Sequence, residues 1–173
     1  MPPREEFVNL DDLPIPSWDL VDDIDRYFPY KKDNIVPIAT SRGCIFNCGF
    51  CHQANENVNA YGGRFRVMSA KKMLKEFDVV DNLTKKHLSR IYLLSDLHLA
   101  NPTYVRNFCN EMVESNKEVT WISATRYDCI KPDMIDMALQ AGCDELLFGV
   151  ESGSPRIQKM LSKVIDKEKA IQV

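Results

Sequence analysis

The feature that most constrains this chain is a regular alternation of short apolar runs with amphipathic helical patterns, beginning at Ile35. The runs read IVPIA, RIYLL, VTWISA and ELLFGV and span residues 35–39, 90–94, 119–124 and 145–150. Weak polar alternation inside them and turn-forming flanks predict buried strands. Strands that alternate with helices predict right-handed crossovers and a parallel sheet, either doubly wound or curled into a barrel.

Helix boundaries are marked by local signals. An N-cap or an early proline predicts a helix start at Ser69, Asn101-Pro102, Pro132 and Ser154-Pro155. Gly142 predicts the end of the third helix, because glycine readily adopts the left-handed conformation found there. The last residues, DKEKAIQV, read as a helix interrupted in mid-pattern. We therefore expect the chain to be cut short within its fourth β/α unit.

Two segments differ in character. Residues 1–34 hold five of the nine prolines and an acidic run without a sustained period. They predict a linker or N-terminal arm with Trp18, Tyr27 and Phe28 as anchors. Residues 35–173 predict a single core domain that is incomplete at its C-terminus.

Composition limits the classes of function. The 173 residues are 45% hydrophobic and 27% charged, as in ordinary globular proteins. A net charge of -3 gives no support for a nucleic-acid partner. No apolar stretch is long enough for a membrane helix and no apolar signal region opens the chain, so a cytoplasmic protein is expected.

The cysteines fall into two groups. Cys109, Cys129 and Cys143 stand alone in apolar or mixed surroundings, as small buried hydrophobes usually do. The other three are spaced C-x3-C-x2-C within RGCIFNCGFCHQ, at Cys44, Cys48 and Cys51. Three thiols on one tight loop can converge on a single metal centre.

The spacing leaves three kinds of centre open. A zinc-binding interaction module would need a fourth ligand, for which His52 is the nearby candidate. An iron–sulfur electron carrier would need a distant fourth thiol from Cys109, Cys129 or Cys143. The third option is a cubane cluster held at three corners, with one iron left for a small-molecule ligand.

The cysteine loop, with Phe50 just before its last cysteine, resembles that of the radical S-adenosylmethionine (SAM) superfamily. TSRGC, GRFRVMS, LDDLPIPSWDL, IYLLSDLHLANP, FGVESGS and MLSK further resemble its cobalamin-binding branch. An Asp-x-His-x-x-Gly cobalamin signature is missing from the sequence, as are the fifth and sixth strands of the family's barrel. The resemblance implies a partial parallel (β/α) barrel of radical SAM type, with about the first four β/α units present.

The resemblance also implies a set of site residues at the carboxyl ends of the strands, where ligands gather in parallel α/β folds. Cys44, Cys48 and Cys51 would bind a [4Fe–4S] cluster, and SAM would chelate the open iron. The implied cofactor-binding residues are Phe50, Ser95, Asp96, Arg126, Glu151 and Ser152. A bland alternative exists for Arg126, an ion pair with Asp128 or Glu151. His98 is expected to hydrogen-bond within its loop rather than act as a base.

The implied function is an enzyme core that reductively cleaves SAM to a 5′-deoxyadenosyl radical, which abstracts hydrogen from a substrate. No catalytic residue is identified beyond the cofactor ligands. The implied partners are a small-molecule or peptide substrate and an electron donor such as flavodoxin or ferredoxin, with cobalamin bound in a full-length parent. A four-stranded chain leaves one side of the pocket open, so we expect this polypeptide alone to be poorly active.

Overall fold

The structure is a computed structural model that describes residues 8–27, 34–51, 65–85, 87–95, 97–163 and 165–172. Its strands, numbered along the chain, are β1 Ile35–Ala39, β2 Ser41–Arg42, β3 Arg66–Val67, β4 Arg90–Leu94, β5 Thr120–Thr125 and β6 Cys143–Phe148. Its helices are α1 Ala70–Leu83, α2 Pro102–Glu114, α3 Pro132–Gln140, α4 Pro155–Met160 and α5 Lys167–Gln172. No helix in these residues is long and apolar enough to cross a membrane.

Helices α1 to α4 begin at the positions that the sequence signals predict. The Ser69 hydroxyl accepts a hydrogen bond from the backbone N–H of Lys72 at 3.1 Å, at the start of α1. The Asn101 side chain accepts one from Tyr104 N–H at 3.0 Å, at the start of α2. Gly142, with a φ of 88°, follows α3 as predicted.

Four of the strands form one parallel sheet in the order β1-β4-β5-β6, and β2 pairs with β3 in a small antiparallel ladder. The order in the large sheet is simply the order along the chain. Because a doubly wound sheet reverses its strand order at a switch point, the sequential order favours a barrel segment. The sequence pattern left a doubly wound sheet and a barrel open, and the strand order decides for the barrel.

The core lies between the sheet and the helices α1, α2 and α3. In β1 and β4 every second residue is buried there. The residues at 0% exposure include Val36, Ile38, Ile91, Leu93 and, on β5, Trp121. The helices contribute their apolar stripes, with Met73, Phe77, Val105, Phe108 and Met134 among them.

The opposite face of the sheet is apolar but more exposed. Leu94 and Leu147 are 44% and 41% exposed, and Pro37 and Tyr92 are half-buried. This explains the weak polar alternation of the strand sequences, which predicted strands buried on both faces. Here apolar residues occupy both faces, yet only the face toward the helices is tightly packed.

The last strand begins and ends two residues earlier than the predicted range 145–150. An irregularity in the β5–β6 register between Trp121 and Ile122 shifts the pairing, so that Cys143 lies opposite Trp121. At the other end the chain leaves the sheet at Gly149, because the next turn places Glu151 at a φ of 61°.

The segment before β1 packs on α1. Leu10 is 2% exposed within the core, and Trp18 donates from Nε1 to the buried Glu76 carboxylate at 3.1 Å. Burial raises the pKa of Glu76. Of the anchors expected in this segment, Phe28 and the Tyr27 side chain lie outside the described residues.

Candidate functional site

The chain turns that follow β1, β4, β5 and β6 lie at the same edge of the sheet, because all four strands run parallel. The cysteine loop follows β1 and β2, Ser95 follows β4, Arg126 follows β5, and Glu151 and Ser152 follow β6. The predicted site residues that the structure describes therefore share one edge. Asp96 lies outside the described residues.

Cys44, Cys48 and Cys51 are each half-buried on one loop. The loop folds back on itself, with the N–H of Cys51 donating to the carbonyl of Cys48 at 3.0 Å. None of the six cysteines, all of which are described, forms a disulfide. In their present orientations, the described side chains do not gather three or more metal ligands around one point.

The remaining cysteines are poorer ligands in their present surroundings. Burial raises the pKa of Cys109 to about 11 and that of Cys143 to about 12, which keeps both thiols protonated. Burial and the neighbouring Asp128 raise the pKa of Cys129 to about 11. Cys129 is nevertheless at the same edge of the sheet, close enough to Cys44 for the two to influence each other electrostatically.

The cysteine loop contacts the turn after α4. The N–H of Gly49 donates to the carbonyl of Leu161 at 2.8 Å, and a Cβ on Gly49 would be 3.6 Å from that oxygen. The adjacent Phe50 ring is 50% exposed and lies 5.7 Å from Lys163 Nζ. The loop is thus placed against a segment more than a hundred residues later in the sequence.

Arg126 lies beside the cysteine loop rather than in solvent. Its Nε and Nη2 donate to the two carboxylate oxygens of Asp128 at 2.8 and 2.7 Å. Its guanidinium stacks 3.9 Å from the centroid of Phe46, and Nη1 is 3.6 Å from Cys48 Sγ. The ion pair with Asp128 is the bland alternative that the sequence left open; a role in binding the SAM carboxylate stays a prediction.

Glu151 forms an ion pair that crosses the end of β6. Its carboxylate accepts from Lys163 Nζ at 2.9 Å, and the lysine side chain is 9% exposed. Gly149 lies beneath this pair, since a Cβ there would be 2.6 Å from Nζ and 2.8 Å from the Glu151 oxygen. A side chain at position 149 would therefore break the pair or move the lysine.

The two predicted serines make local hydrogen bonds. Ser152 accepts on Oγ from Ser154 N–H at 3.1 Å, and its carbonyl accepts from Gln158 at 2.7 Å, which stabilises the approach to α4. The hydroxyls of Ser95 and Ser41 share a hydrogen bond at 2.6 Å, which joins the end of β4 to the start of β2. Their predicted contacts with SAM stay predictions.

Three residues of this edge were missed by sequence reasoning. Lys163 closes the MLSK stretch, Phe46 lies inside the cysteine loop, and Thr125 ends β5. The Thr125 hydroxyl is buried without a hydrogen-bond partner among the described residues. Only Lys163 left a sequence signal, in the MLSK match that carried part of the family resemblance.

His98 is fully buried beneath this edge. Tyr104 donates its hydroxyl to the Met68 carbonyl at 2.8 Å, so its oxygen must accept from His98 Nε2–H at 3.3 Å. The other ring nitrogen, Nδ1, then accepts from the Thr40 hydroxyl at 3.2 Å. These bonds reach beyond the histidine's own loop, in contrast to the expectation, and they join β1, β4 and α2.

Comparisons with known proteins agree with this fold. A sequence model described as the Radical SAM superfamily matches residues 38–173. The chain is 29% identical over 172 residues to an uncharacterised methyltransferase of Pyrococcus horikoshii, covering 98% of this chain and 35% of that protein. The chain therefore spans about a third of the length of this curated relative.

Two solved structures resemble the fold. One is the apo form of the cobalamin-dependent S-adenosylmethionine radical enzyme OxsB, with a TM-score of 0.68, 23% identity and coverage of 96% of this chain and 24% of that one. The other is the radical SAM methyltransferase TsrM of Kitasatospora setae with cobalamin and a [4Fe–4S] cluster bound; its TM-score is 0.62 at 13% identity, covering 79% of this chain and 25% of that one. They confirm the predicted partial barrel. Because the family model matches most of its length, the chain belongs to the radical SAM superfamily, a family of enzymes that use a [4Fe–4S] cluster and SAM.

Proposed function

We propose that Cys44, Cys48 and Cys51 hold a [4Fe–4S] cluster whose remaining iron binds SAM, and that this chain is the radical-generating core of a larger enzyme. One observation carries the proposal: three half-buried thiols lie on a single loop at the carboxyl edge of a partial radical SAM barrel. Thiolates are the usual protein ligands of iron–sulfur clusters. The donor set and its place in the fold fit the cofactor.

When bound, the cluster and SAM supply a one-electron cleavage that yields a 5′-deoxyadenosyl radical, and the protein's task is to hold, orient and shield. Phe50 would shield the cluster side of the pocket, since it is half-exposed beside Cys51. Glu151 and Ser152 would bind the ribose or the methionine end of SAM. Ser95 and Asp96 would orient the SAM ammonium from the end of β4.

The substrate enters from the less packed face of the sheet, where Leu94, Leu147 and Tyr92 present apolar surface. We infer methyl transfer to a small molecule or peptide as the reaction class of the whole protein, because the relative from Pyrococcus and TsrM are both named methyltransferases. OxsB is cobalamin-dependent and TsrM has cobalamin bound, which supports cobalamin as a further cofactor. A flavodoxin or ferredoxin would supply the electron.

Anaerobic reconstitution with iron and sulfide tests the assignment. We expect a brown protein with about four iron and four sulfide atoms per chain. The electron paramagnetic resonance (EPR) spectrum of the reduced cluster should change when SAM is added. Each of the single variants Cys44→Ala, Cys48→Ala and Cys51→Ala should abolish iron uptake. A colourless protein with one tightly held zinc would instead support the zinc module.

Cys129→Ala is the matched control, because Cys129 is the fourth cysteine at the same edge of the sheet and lies outside the cysteine loop. We expect this variant to retain full iron content and its response to SAM. Loss of iron in Cys129→Ala, together with a spectrum indifferent to SAM, would identify a closed four-cysteine cluster and an electron carrier. The iron content of the four alanine variants thus separates the two readings.

A further inference from the structure

Arg126 has three distinct contacts, and together they fix its orientation. One edge of the guanidinium makes a bidentate ion pair with Asp128, and the flat face rests on Phe46. Because the group is planar and rigid, two such contacts determine where the third nitrogen points. That nitrogen, Nη1, is directed at Cys48 Sγ, 3.6 Å away, a distance suited to an N–H···S hydrogen bond.

The Arg126 side chain is largely buried. It is 13% exposed, and that of Asp128 is 34% exposed. Hydrogen bonding to Asp128 raises the pKa of Arg126, and the same bond lowers the pKa of Asp128. Both groups therefore stay charged, and the pair brings a fixed donor to the sulfur while adding no net charge to the site.

We propose that Arg126 is a positioning residue of the cluster loop: it donates from Nη1 to the sulfur of Cys48 and thereby raises the reduction potential of the cluster that this sulfur binds. The inference rests on the proposed function, because it needs a cluster at Cys48. A hydrogen bond to a ligand sulfur stabilises the electron-rich reduced state more than the oxidised state. Arg126 thus acts on the cluster through Cys48.

A redox titration of the reconstituted protein measures the effect, with dithionite as the electron donor and EPR of the reduced cluster as the readout. Removing one charge-assisted bond in Arg126→Gln should lower the equilibrium constant for reduction about tenfold, or about 59 mV for a one-electron couple. Arg106→Gln is the matched control, because it removes an exposed arginine from α2. We expect the Arg106→Gln potential to equal that of the wild type.

Arg126→Lys keeps the positive charge but loses the planar fork that aims the donor. We expect it to recover at most part of the lost potential. A wild-type potential in Arg126→Lys would show that charge alone matters and would overturn the directed bond. An Arg126→Gln potential equal to that of Arg106→Gln would overturn the proposal as a whole.

A spectroscopic readout tests the bond in the wild-type protein itself. In wild-type protein labelled with 15N-arginine, pulsed EPR of the reduced cluster should detect a weak 15N coupling. The coupling should disappear in Arg126→Gln and persist in Arg106→Gln. Its absence from the wild type would refute the N–H···S bond while leaving cluster assembly, judged by iron content, untouched. A wild-type chain that takes up no iron would refute the proposed function, and with it this inference.

Discussion

The buried histidine beneath the site makes the stability of this fold depend on pH in a calculable way. His98 is 0% exposed and is enclosed by the rings of Tyr104, Phe108 and Trp121. Burial lowers its pKa from 6.5 to about 3. The ring is therefore neutral in the folded protein throughout the physiological range.

The direction of the effect follows from proton binding. As the pH falls through 6.5, the unfolded chain gains a proton on His98, whereas the folded chain does not until about pH 3. The unfolded state is therefore favoured increasingly toward acid, and the loss begins near pH 6.5. Each unit of pH below that value costs about 1.4 kcal/mol, so the folded state loses about 2 kcal/mol between pH 7.5 and pH 5.

Urea unfolding of the wild type and His98→Gln at both pH values isolates this contribution. At pH 7.5 the variant should be less stable by about 2 kcal/mol, because it loses ring contacts and distorts the bonds to Thr40 and Tyr104. At pH 5 the gap should shrink to nearly zero, since glutamine does not titrate. His98→Phe, which keeps aromatic packing, should show the same narrowing.

His87→Gln is the matched control, because it removes an exposed histidine. This variant retains His98, so the loss of stability between pH 7.5 and pH 5 should persist in it. A gap between wild type and His98→Gln that stays constant from pH 7.5 to pH 5 would refute the reasoning. It would mean that the ring is hydrated, or accepts a proton without cost, in the folded state.

Two further substitutions test the packing around Trp121 and the end of α3. Trp121→Phe removes the buried bond from Nε1 to the Ala141 carbonyl at 2.8 Å and should lower the free energy of unfolding by about 2–3 kcal/mol in urea; an unchanged midpoint would contradict this. Gly142→Ala forces a φ of 88° on alanine with its Cβ 3.0 Å from the Val119 carbonyl and should cost about 1–2 kcal/mol or more. Gly153→Ala, whose Cβ would meet nothing within 4 Å, should lie within error of the wild type; an equal loss at both glycines would refute the steric argument.

Local signals in the sequence are enough for most element boundaries. Ser69 and Asn101 mark helix starts because each side chain accepts a hydrogen bond from the backbone N–H three residues later, a contact set within the segment. The predicted range of β6 is two residues too late, because the start of this strand depends on a register irregularity next to Trp121. Register is a property of two strands together, and no single run of residues encodes it.

In the candidate site, too, local patterns could be predicted from the sequence and long-range contacts could not. Three cysteines on one loop are a local pattern, and the sequence identified them together with the family. The contact between Arg126 and Cys48 joins residues 78 positions apart. This contact exists because Arg126 is bonded to Asp128 and stacked on Phe46 at the same time. The spacing of these residues in the sequence does not reveal that combination. Lys163 was missed for the same reason, since its partner Glu151 lies across a turn and a short helix.

These long-range contacts determine where the cysteine loop lies. Gly49 is bonded to the turn after α4, and Phe46 is packed under the guanidinium that follows β5. The loop itself follows β1 and β2, and β1 and β6 are the two outermost strands of the four-stranded sheet. Its position therefore requires all four parallel strands in register. A substitution that shifts β6 and the turn after α4 would weaken the Gly49 contact that holds the loop, while leaving every cysteine in the sequence. Cluster uptake should therefore respond to changes in the sheet far from the loop.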